Sequence, residues 1–392
     1  MARRVVLIFT AVLTLSAGCG TSTPAPASSP AVAARTSAPR IVNQGKLFAY
    51  VGSTGREGDH THPFVPASVS IYGIETSTGI PRASAALRFR YSLLPAAVVI
   101  AAGKFAYLTD QITGNVLGER IDPANGALTP VAGSPFSAGG GANGAASNGR
   151  FLYVSNATET SPGNNIYGYT IDAATGTLSP VPGSPFPTGT NPGGAAIDPA
   201  GRFVYVFNNG LNQVFAYAID ATTGKLKAVH GSPFSAGDSP AGEGIDRTGK
   251  FLYVTNFNKG TISGFSINTK TGALRPLPGS PFPSCGHPNA VAVNPVANFV
   301  YVNYSTGVCG YAIDLSSGAL TPVAGSPFAT GTAGGNLAID PHGTFVFRTS
   351  ESSASNLAVW RIDSASGALT PVQGSPFAMP WTPSIVAVAR RS

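Results

Sequence analysis

The chain has 392 residues, 48 of them glycine and 33 proline, with 10% charged residues and a formal net charge of +7. So turn-dense a composition suits an all-β protein and excludes helical bundles and charged disordered tails. The basic residues are scattered, with no lysine/arginine cluster interleaved with aromatics, which argues against nucleic acid as a partner.

At the N-terminus, Arg3 and Arg4 precede an apolar run over residues 5–15, which ends in Ser16, Ala17, Gly18 and Cys19. This pattern predicts a secretory signal. Its ending is similar to a bacterial lipobox, in which small residues precede a cysteine that receives lipid. The usual leucine sits one place early, at Leu15, with Ser16 in its slot. The alternative is an ordinary cleaved signal with an incidental cysteine. The apolar run is too short to span a membrane as a helix. The chain thus divides into a lipoprotein signal over 1–18, a flexible Ala/Ser/Pro-rich tether over 19–39 and a folded domain over 40–392. Lipidation at Cys19 would make the bacterial membrane a partner and place the protein on its periplasmic or extracellular face.

From residue 47 onward the sequence repeats. An aromatic alternation recurs seven times: Phe48/Tyr50, Phe105/Tyr107, Phe151/Tyr153, Phe203/Tyr205, Phe251/Tyr253, Phe299/Tyr301 and Phe345/Phe347. Alternation at period two among β-branched neighbours predicts a strand. Each copy is followed by a turn signal: Glu75 with Gly79, Asp122 with Gly126, Asp172 with Gly176, Asp220 with Gly224, Asn268 with Gly272, Asp314 with Gly318 and Asp363 with Gly367. The acid or amide accepts backbone N–H bonds within the turn, and glycine supplies the positive φ that closes it. Short apolar runs flank each turn, and a further run precedes each aromatic strand, as at residues 96–100 and 290–293. The tetrapeptide Gly-Ser-Pro-Phe closes six repeats, beginning at Gly133, Gly183, Gly231, Gly279, Gly325 and Gly374. Its proline is expected to end the outermost strand and its phenylalanine to plug the junction between neighbouring units.

Four short antiparallel strands per repeat, seven times over, predict a seven-bladed β-propeller, because such sheets bury their faces only by stacking radially. The final run, residues 384–389, matches an innermost strand and lacks the rest of a repeat. It is expected to pair beside residues 47–51 and close the ring with the C-terminal strand. Cys285 and Cys309 fall at the same end of the sixth blade, so export makes a disulfide between them plausible. The alternative is two free buried thiols.

Subtracting the turn formers leaves Glu57, Asp59, Asp110, Glu119, Glu159, Asp238, Glu243 and Glu351, all but Glu119 in or beside loops of one face. Three residues break the repeat. Asp110 is charged where three blades have asparagine, Arg348 interrupts an otherwise apolar strand position, and Glu243 replaces an alanine or valine in an innermost strand. An unpaired buried carboxylate is costly, so Glu243 should face the channel or have a partner. Asp110, Glu243 and Arg348 are therefore the candidate catalytic residues, with structural ion pairs as the alternative. His60 and His62 share a face of extended chain near Glu57 and Asp59, but without a third spaced ligand they predict no metal. No cofactor motif appears.

With Tyr50-Val51-Gly52-Ser53 in the first repeat, and Phe251-Leu252-Tyr253-Val254-Thr255-Asn256 followed by residues 268–274, the chain resembles the lactonase family of seven-bladed propellers. Bacterial 6-phosphogluconolactonases belong to that family, and fungal muconate-lactonising enzymes are related to it. The likeness spans residues 40–392 and is greatest to an exported branch whose blades carry Gly-Ser-Pro-Phe. The resemblance implies hydrolysis of a lactone at the loop-rich face. Where it implies an Asn-Glu pair and a histidine after proline, this chain has Asp110-Gln111, and His287 before Pro288. Hydrolysis needs a general base and a group that stabilises the oxyanion. Asp110 or Glu243 is expected as the base, and Arg348 or Arg56 as the stabiliser. The rival reading is a non-catalytic, monomeric envelope propeller that binds a protein or a carbohydrate.

Overall fold

A computed structural model describes residues 47–54, 67–88, 94–157, 164–330, 334–350, 356–380 and 382–390. The aromatic strands are buried on both faces, as Phe251–Asn256 illustrates, so each blade has a layer of apolar contacts on either side. Blade 5 shows the plan. Pro240–Ile245 lies innermost, then Phe251–Asn256, then Thr261–Ile267, with Leu274–Pro276 outermost. Seven such antiparallel sheets form the ring.

Ring closure follows the incomplete last repeat. Pro383–Arg390 pairs antiparallel with Leu47–Ser53, matching Leu47 with Arg390 and Gly52 with Ile385. Blade 1 is therefore built from both ends of the domain.

The Gly-Ser-Pro-Phe proline does not end the outer strand as the sequence suggested. In all six copies the Ser–Pro bond is cis, and the residues up to that proline loop out of the strand. The strand then resumes at its phenylalanine: Leu128 pairs with Ile121, and Phe136 with Val116 of the same neighbour. The looped-out serine has a bonding role. Its hydroxyl accepts the third-strand N–H that the gap leaves unpaired, at 2.8–3.1 Å, from Gly118, Gly168, Ala216, Gly264, Gly310 and Val359. The phenylalanine does pack between blades, Phe186 against Val204 and Val206 of the next blade's cluster for example. Blade 1 lacks the tetrapeptide, and its outer strand Pro81–Arg88 runs unbroken.

The two sequence signals meet across each seam. The turn glycine of one blade lies on the phenylalanine ring of the blade before it. A Cβ there would stand 2.4–2.6 Å from a ring carbon at all seven seams, and φ is +72° to +81°. The tyrosine two residues on donates its hydroxyl proton to that glycine's carbonyl. The pairs are Tyr50–Gly126, Tyr107–Gly176, Tyr153–Gly224, Tyr205–Gly272, Tyr253–Gly318 and Tyr301–Gly367, at 2.7–3.1 Å. Burial, helped by turn carboxylates, pushes the phenols of Tyr50, Tyr107, Tyr153, Tyr253 and Tyr301 well above their ordinary pKa, so they remain donors. At the seam from blade 7 to blade 1, Phe347 lacks the hydroxyl. There Arg361 stacks 4.8 Å over Phe345 and donates to the Ser77 carbonyl.

Tyr205→Phe should cost about 1–2 kcal/mol, the scale of one buried hydrogen bond with an orphaned acceptor. Gly272→Ala, which adds a clash with Phe203 and a strained φ, should cost more. Urea unfolding of both variants checks the order, and equal midpoints would contradict it.

Candidate functional site

Two sets of loops share one face: those joining second to third strands, and those crossing from one blade to the next innermost strand. The seven innermost strands line the central channel beneath them. Around this mouth, polar side chains near the end of the second strand bond to the next innermost strand in blades 2, 3, 6 and 7. Thr109 Oγ1 donates to the Asn143 carbonyl at 2.5 Å, Ser155 Oγ to the Gly193 carbonyl, Asn303 Nδ2 to the Gly335 carbonyl at 2.9 Å and Thr349 Oγ1 to the Ser384 carbonyl at 3.2 Å. A second tier of amides follows. Gln111 Nε2 donates to Asn143 Oδ1 at 2.9 Å, and Asn209 Nδ2 to the Pro240 carbonyl at 3.0 Å.

Blade 4 departs from this pattern. Phe207 takes the place of the hydroxyl residue and covers Gly193, where a Cβ would stand 2.0 Å from the ring. Glu243, from the innermost strand of blade 5, turns into the same seam. Its Oε1 would lie 2.6 Å from a Cβ on Gly194, so the missing side chain leaves its room. The residue is half-buried, but Oε2 is cut off from solvent and has no hydrogen-bond partner. Burial raises the Glu243 pKa above the ordinary carboxylate value and so favours its protonated form. Glu243 thus lies on a channel-lining strand, half-exposed, with Oε2 turned into the seam and left without a partner.

Asp110 and Arg348 lie elsewhere. Asp110 is 1% exposed and caps its own loop. It accepts the N–H groups of Leu94 at 3.0 Å, Ile112 at 3.1 Å and Thr113 at 3.3 Å, and the Thr113 hydroxyl. Arg348 is fully buried between blades 7 and 6. It donates to Asn303 Oδ1 at 2.6 Å, Thr330 Oγ1 at 2.8 Å and the carbonyls of Tyr304 and Ser305 at 3.3 Å. Burial lowers its pKa to about 10. So Asp110 is bonded within its own blade region, Glu243 rests on blade 4 and Arg348 bonds toward blade 6. The structure does not gather the three around one point.

Cys19, Arg56, Glu57, Asp59, His60 and His62 lie outside the described residues. Cys285 and Cys309 form a disulfide with a Cα–Cα distance of 6.2 Å. Among the described residues no three His, Cys, Asp or Glu side chains cluster as for a metal.

His287 stands at the entry to the innermost strand of blade 6 and is exposed. Its ring lies 5.0 Å from that of Phe257, tilted 30°. Its Nδ1 is 2.8 Å from the Phe257 carbonyl. A carbonyl only accepts, so Nδ1 carries the proton of the neutral ring and Nε2 keeps its lone pair. The repeat held a signal for this residue: the corresponding places in blades 3, 4 and 5 are Gly141, Asn191 and Ser239. Asn143 and Asn289, at the entries of innermost strands, and Asn209, just past the end of a second strand, are likewise unremarked in sequence yet legible as amides at the mouth. Two grooves, of about 480 and 310 Å³, open on the opposite face beside Lys104, Arg120, Arg150 and Asp198. Their arginines are occupied in seam bonds, Arg120 to the Ala174 carbonyl and Arg150 to that of Ala221.

The sequence profile of the family described as Lactonase, 7-bladed beta-propeller matches residues 96–237 and, overlapping, 179–293; the chain belongs to this family. No curated protein matches it in sequence. Among solved structures it is similar to the periplasmic gluconolactonase PpgL of Pseudomonas aeruginosa, with a TM-score of 0.71, 18% identity, and coverage of 88% of this chain and 100% of that one. It is also similar to two proteins provisionally assigned as 6-phosphogluconolactonases. The Bacteroides uniformis ATCC 8492 protein has a TM-score of 0.69 and 17% identity, with 88% of this chain and 99% of that one covered. The Bacteroides fragilis NCTC 9343 protein has a TM-score of 0.69 and 18% identity, with 90% and 99% covered. At these identities the likeness shows the fold.

Glu243→Gln tests the raised pKa of the seam carboxyl. A folded-state pKa above the unfolded value gives stability that is fully present below the ordinary carboxylate range and is lost as pH rises through the folded pKa. Glutamine does not ionise, so the variant should match the parent at pH 4 and exceed it at pH 8, by on the order of 1–3 kcal/mol. Thermal unfolding across pH reads this; a pH-independent difference would refute the assignment.

Proposed function

We propose that the protein is an exported, lipid-anchored hydrolase that opens a lactone at the channel mouth, in the sector bounded by blades 4, 5 and 6. The observation that carries this reading is His287, an exposed imidazole whose Nδ1 is committed to a carbonyl and whose Nε2 is left as a base. In the reaction Nε2 takes a proton from water as the water oxygen bonds to the lactone carbonyl carbon. The ring C–O bond then breaks, and the imidazolium returns the proton to the leaving alkoxide, giving the hydroxy acid. Burial favours the protonated form of Glu243, which suits it to donate a hydrogen bond rather than to accept a proton. Asp110 and Arg348 serve this reading by fixing the loops of the mouth. Family membership supports the reaction class, and the periplasmic gluconolactonase named among similar structures supports an extracytoplasmic place. The signal and tether of residues 1–39 are consistent with both.

A second reading has its own support. Ile112, 58% exposed, and Leu211, 44% exposed, stand on loops of the same face. Apolar tips there favour a binding propeller that docks a protein or carbohydrate in the envelope.

A panel of γ- and δ-lactones offered to the full chain separates the two. Hydrolysis should be found, and His287→Gln should slow it about 100-fold or more, the scale of general-base catalysis. Absence of turnover across the panel would favour the binding reading. For location, Cys19→Ser should shift the protein from the membrane to the soluble fraction, because the lipid supplies the attachment. Unchanged fractionation would remove the anchor from the proposal.

A further inference from the structure

The connection from blade 5 to blade 6 follows a different path from those entering blades 3, 4 and 5. In the connections entering blades 3 and 4, the third residue after the Gly-Ser-Pro-Phe phenylalanine is a glycine packed under the next blade. Gly139 lies under Tyr167 and Asn156, and Gly189 under Phe215 and Leu211. Gly237 sits likewise on Asn256 of blade 5. At blade 6 that place is Cys285, bonded to Cys309 in the strand that supplies Tyr167 and Phe215 in blades 3 and 4. A covalent bond replaces a glycine–side-chain contact at this one junction.

The backbone changes with it. The residue entering the innermost strand has a left-handed φ in blades 3, 4 and 5: Gly141 at +78°, Asn191 at +57° and Ser239 at +58°. In blade 6 the left-handed residue is Gly286, at +85°, one place earlier, and His287 is not left-handed. The hydrogen bond made at this point changes too. Gly141, Asn191 and Ser239 each accept an N–H through their own carbonyl, from Ala157, Asn209 and Phe257 at 2.9–3.1 Å. Blade 6 instead bonds the Asn289 N–H to the Asn303 carbonyl at 3.1 Å. Freed from the common path, His287 turns its ring onto Phe257 and gives its Nδ1 proton to that residue's carbonyl.

We infer that the Cys285–Cys309 disulfide is a positioning device: it holds the connection of residues 284–289 in the one path that presents the His287 imidazole as an Nδ1-protonated base. The inference rests on the proposed role of His287, but its structural half stands apart from any activity. With the bond open, a thiol at 285 no longer fixes the route, and the loop is free to sample the path of blades 3 to 5, in which the residue before the innermost strand is left-handed. His287 then loses the Phe257 carbonyl as its fixed partner, and its tautomer is no longer set.

The test uses the full chain carrying 15N-histidine, with the His287 signals identified among the five histidines through His287→Gln. Dithiothreitol delivers two electrons and two protons, breaks the Sγ–Sγ bond into two thiols and closes to its own cyclic disulfide. In the oxidised chain the nitrogen shifts should report a single Nδ1–H tautomer. Reduction should move them to those of a tautomer mixture while far-UV circular dichroism stays unchanged. Cys285→Gly combined with Cys309→Phe, which copies the Gly189–Phe215 packing of blade 4, should give the same mixture without reductant. Identical His287 shifts before and after reduction overturn the inference, and if the double variant does not fold, reduction of the folded chain decides alone. On any lactone that is hydrolysed, opening the bond should lower kcat about tenfold or more with KM nearly unchanged, as expected for a displaced base. A fall in stability with kcat intact would make the bridge a brace only. Failure of every lactone to react removes the proposed function and leaves the nitrogen shifts to decide the strap.

Discussion

Every seam of this ring rests on a glycine laid flat on a phenylalanine ring. The aromatic strand of one blade offers the ring, and the hairpin turn of the next offers a residue without a side chain and with the left-handed φ that the turn needs. At six seams a tyrosine hydroxyl then fastens that glycine's carbonyl, and at Phe105, Phe151, Phe203 and Phe345 an arginine lies over the ring at 4.8–5.5 Å. Each contact is modest, a buried hydrogen bond or a stacking pair. Their repetition at a fixed angular step makes a closed ring of sheets that no single blade would sustain.

This explains why so much of the fold could be read from the chain. The alternation at Phe251 and Tyr253 and the turn ending at Gly318 lie far apart in sequence, yet they are two halves of one contact, so both recur at the blade period. Ring closure was legible because residues 384–389 have the pattern of an innermost strand without the rest of a repeat. The Gly-Ser-Pro-Phe element was legible as a marker but misread in action. Its serine hydroxyl repairs the ladder around a loop within the strand, and nothing local to the tetrapeptide shows that the strand resumes beyond it.

The site was less legible, because side chains near the channel are placed by neighbours in other blades. Glu243 turns into a seam since Gly194, some fifty residues away, leaves space for it. Arg348 is absorbed by Asn303 and Thr330 of the preceding blade and its exit. Asp110 was different: Thr113, three residues on, is the partner expected of an acid capping its own loop, and that signal was present in the sequence. His287 could have been found by comparing strand entries, since a ring nitrogen there stands against glycine, asparagine and serine in three other blades. Its tautomer could not, as that depends on a carbonyl brought in from blade 5.

The closing strand also determines how the domain bears load. Leu47–Ser53, the first strand among the described residues, is not an edge: Pro383–Arg390 pairs along one side of it and Ser68–Ile74 along the other. A pull applied through the N-terminus runs along this strand and must shear two ladders at once, rather than peel one open a bond at a time. Both ends of the domain meet in the same sheet, so that tension passes directly into the C-terminal strand.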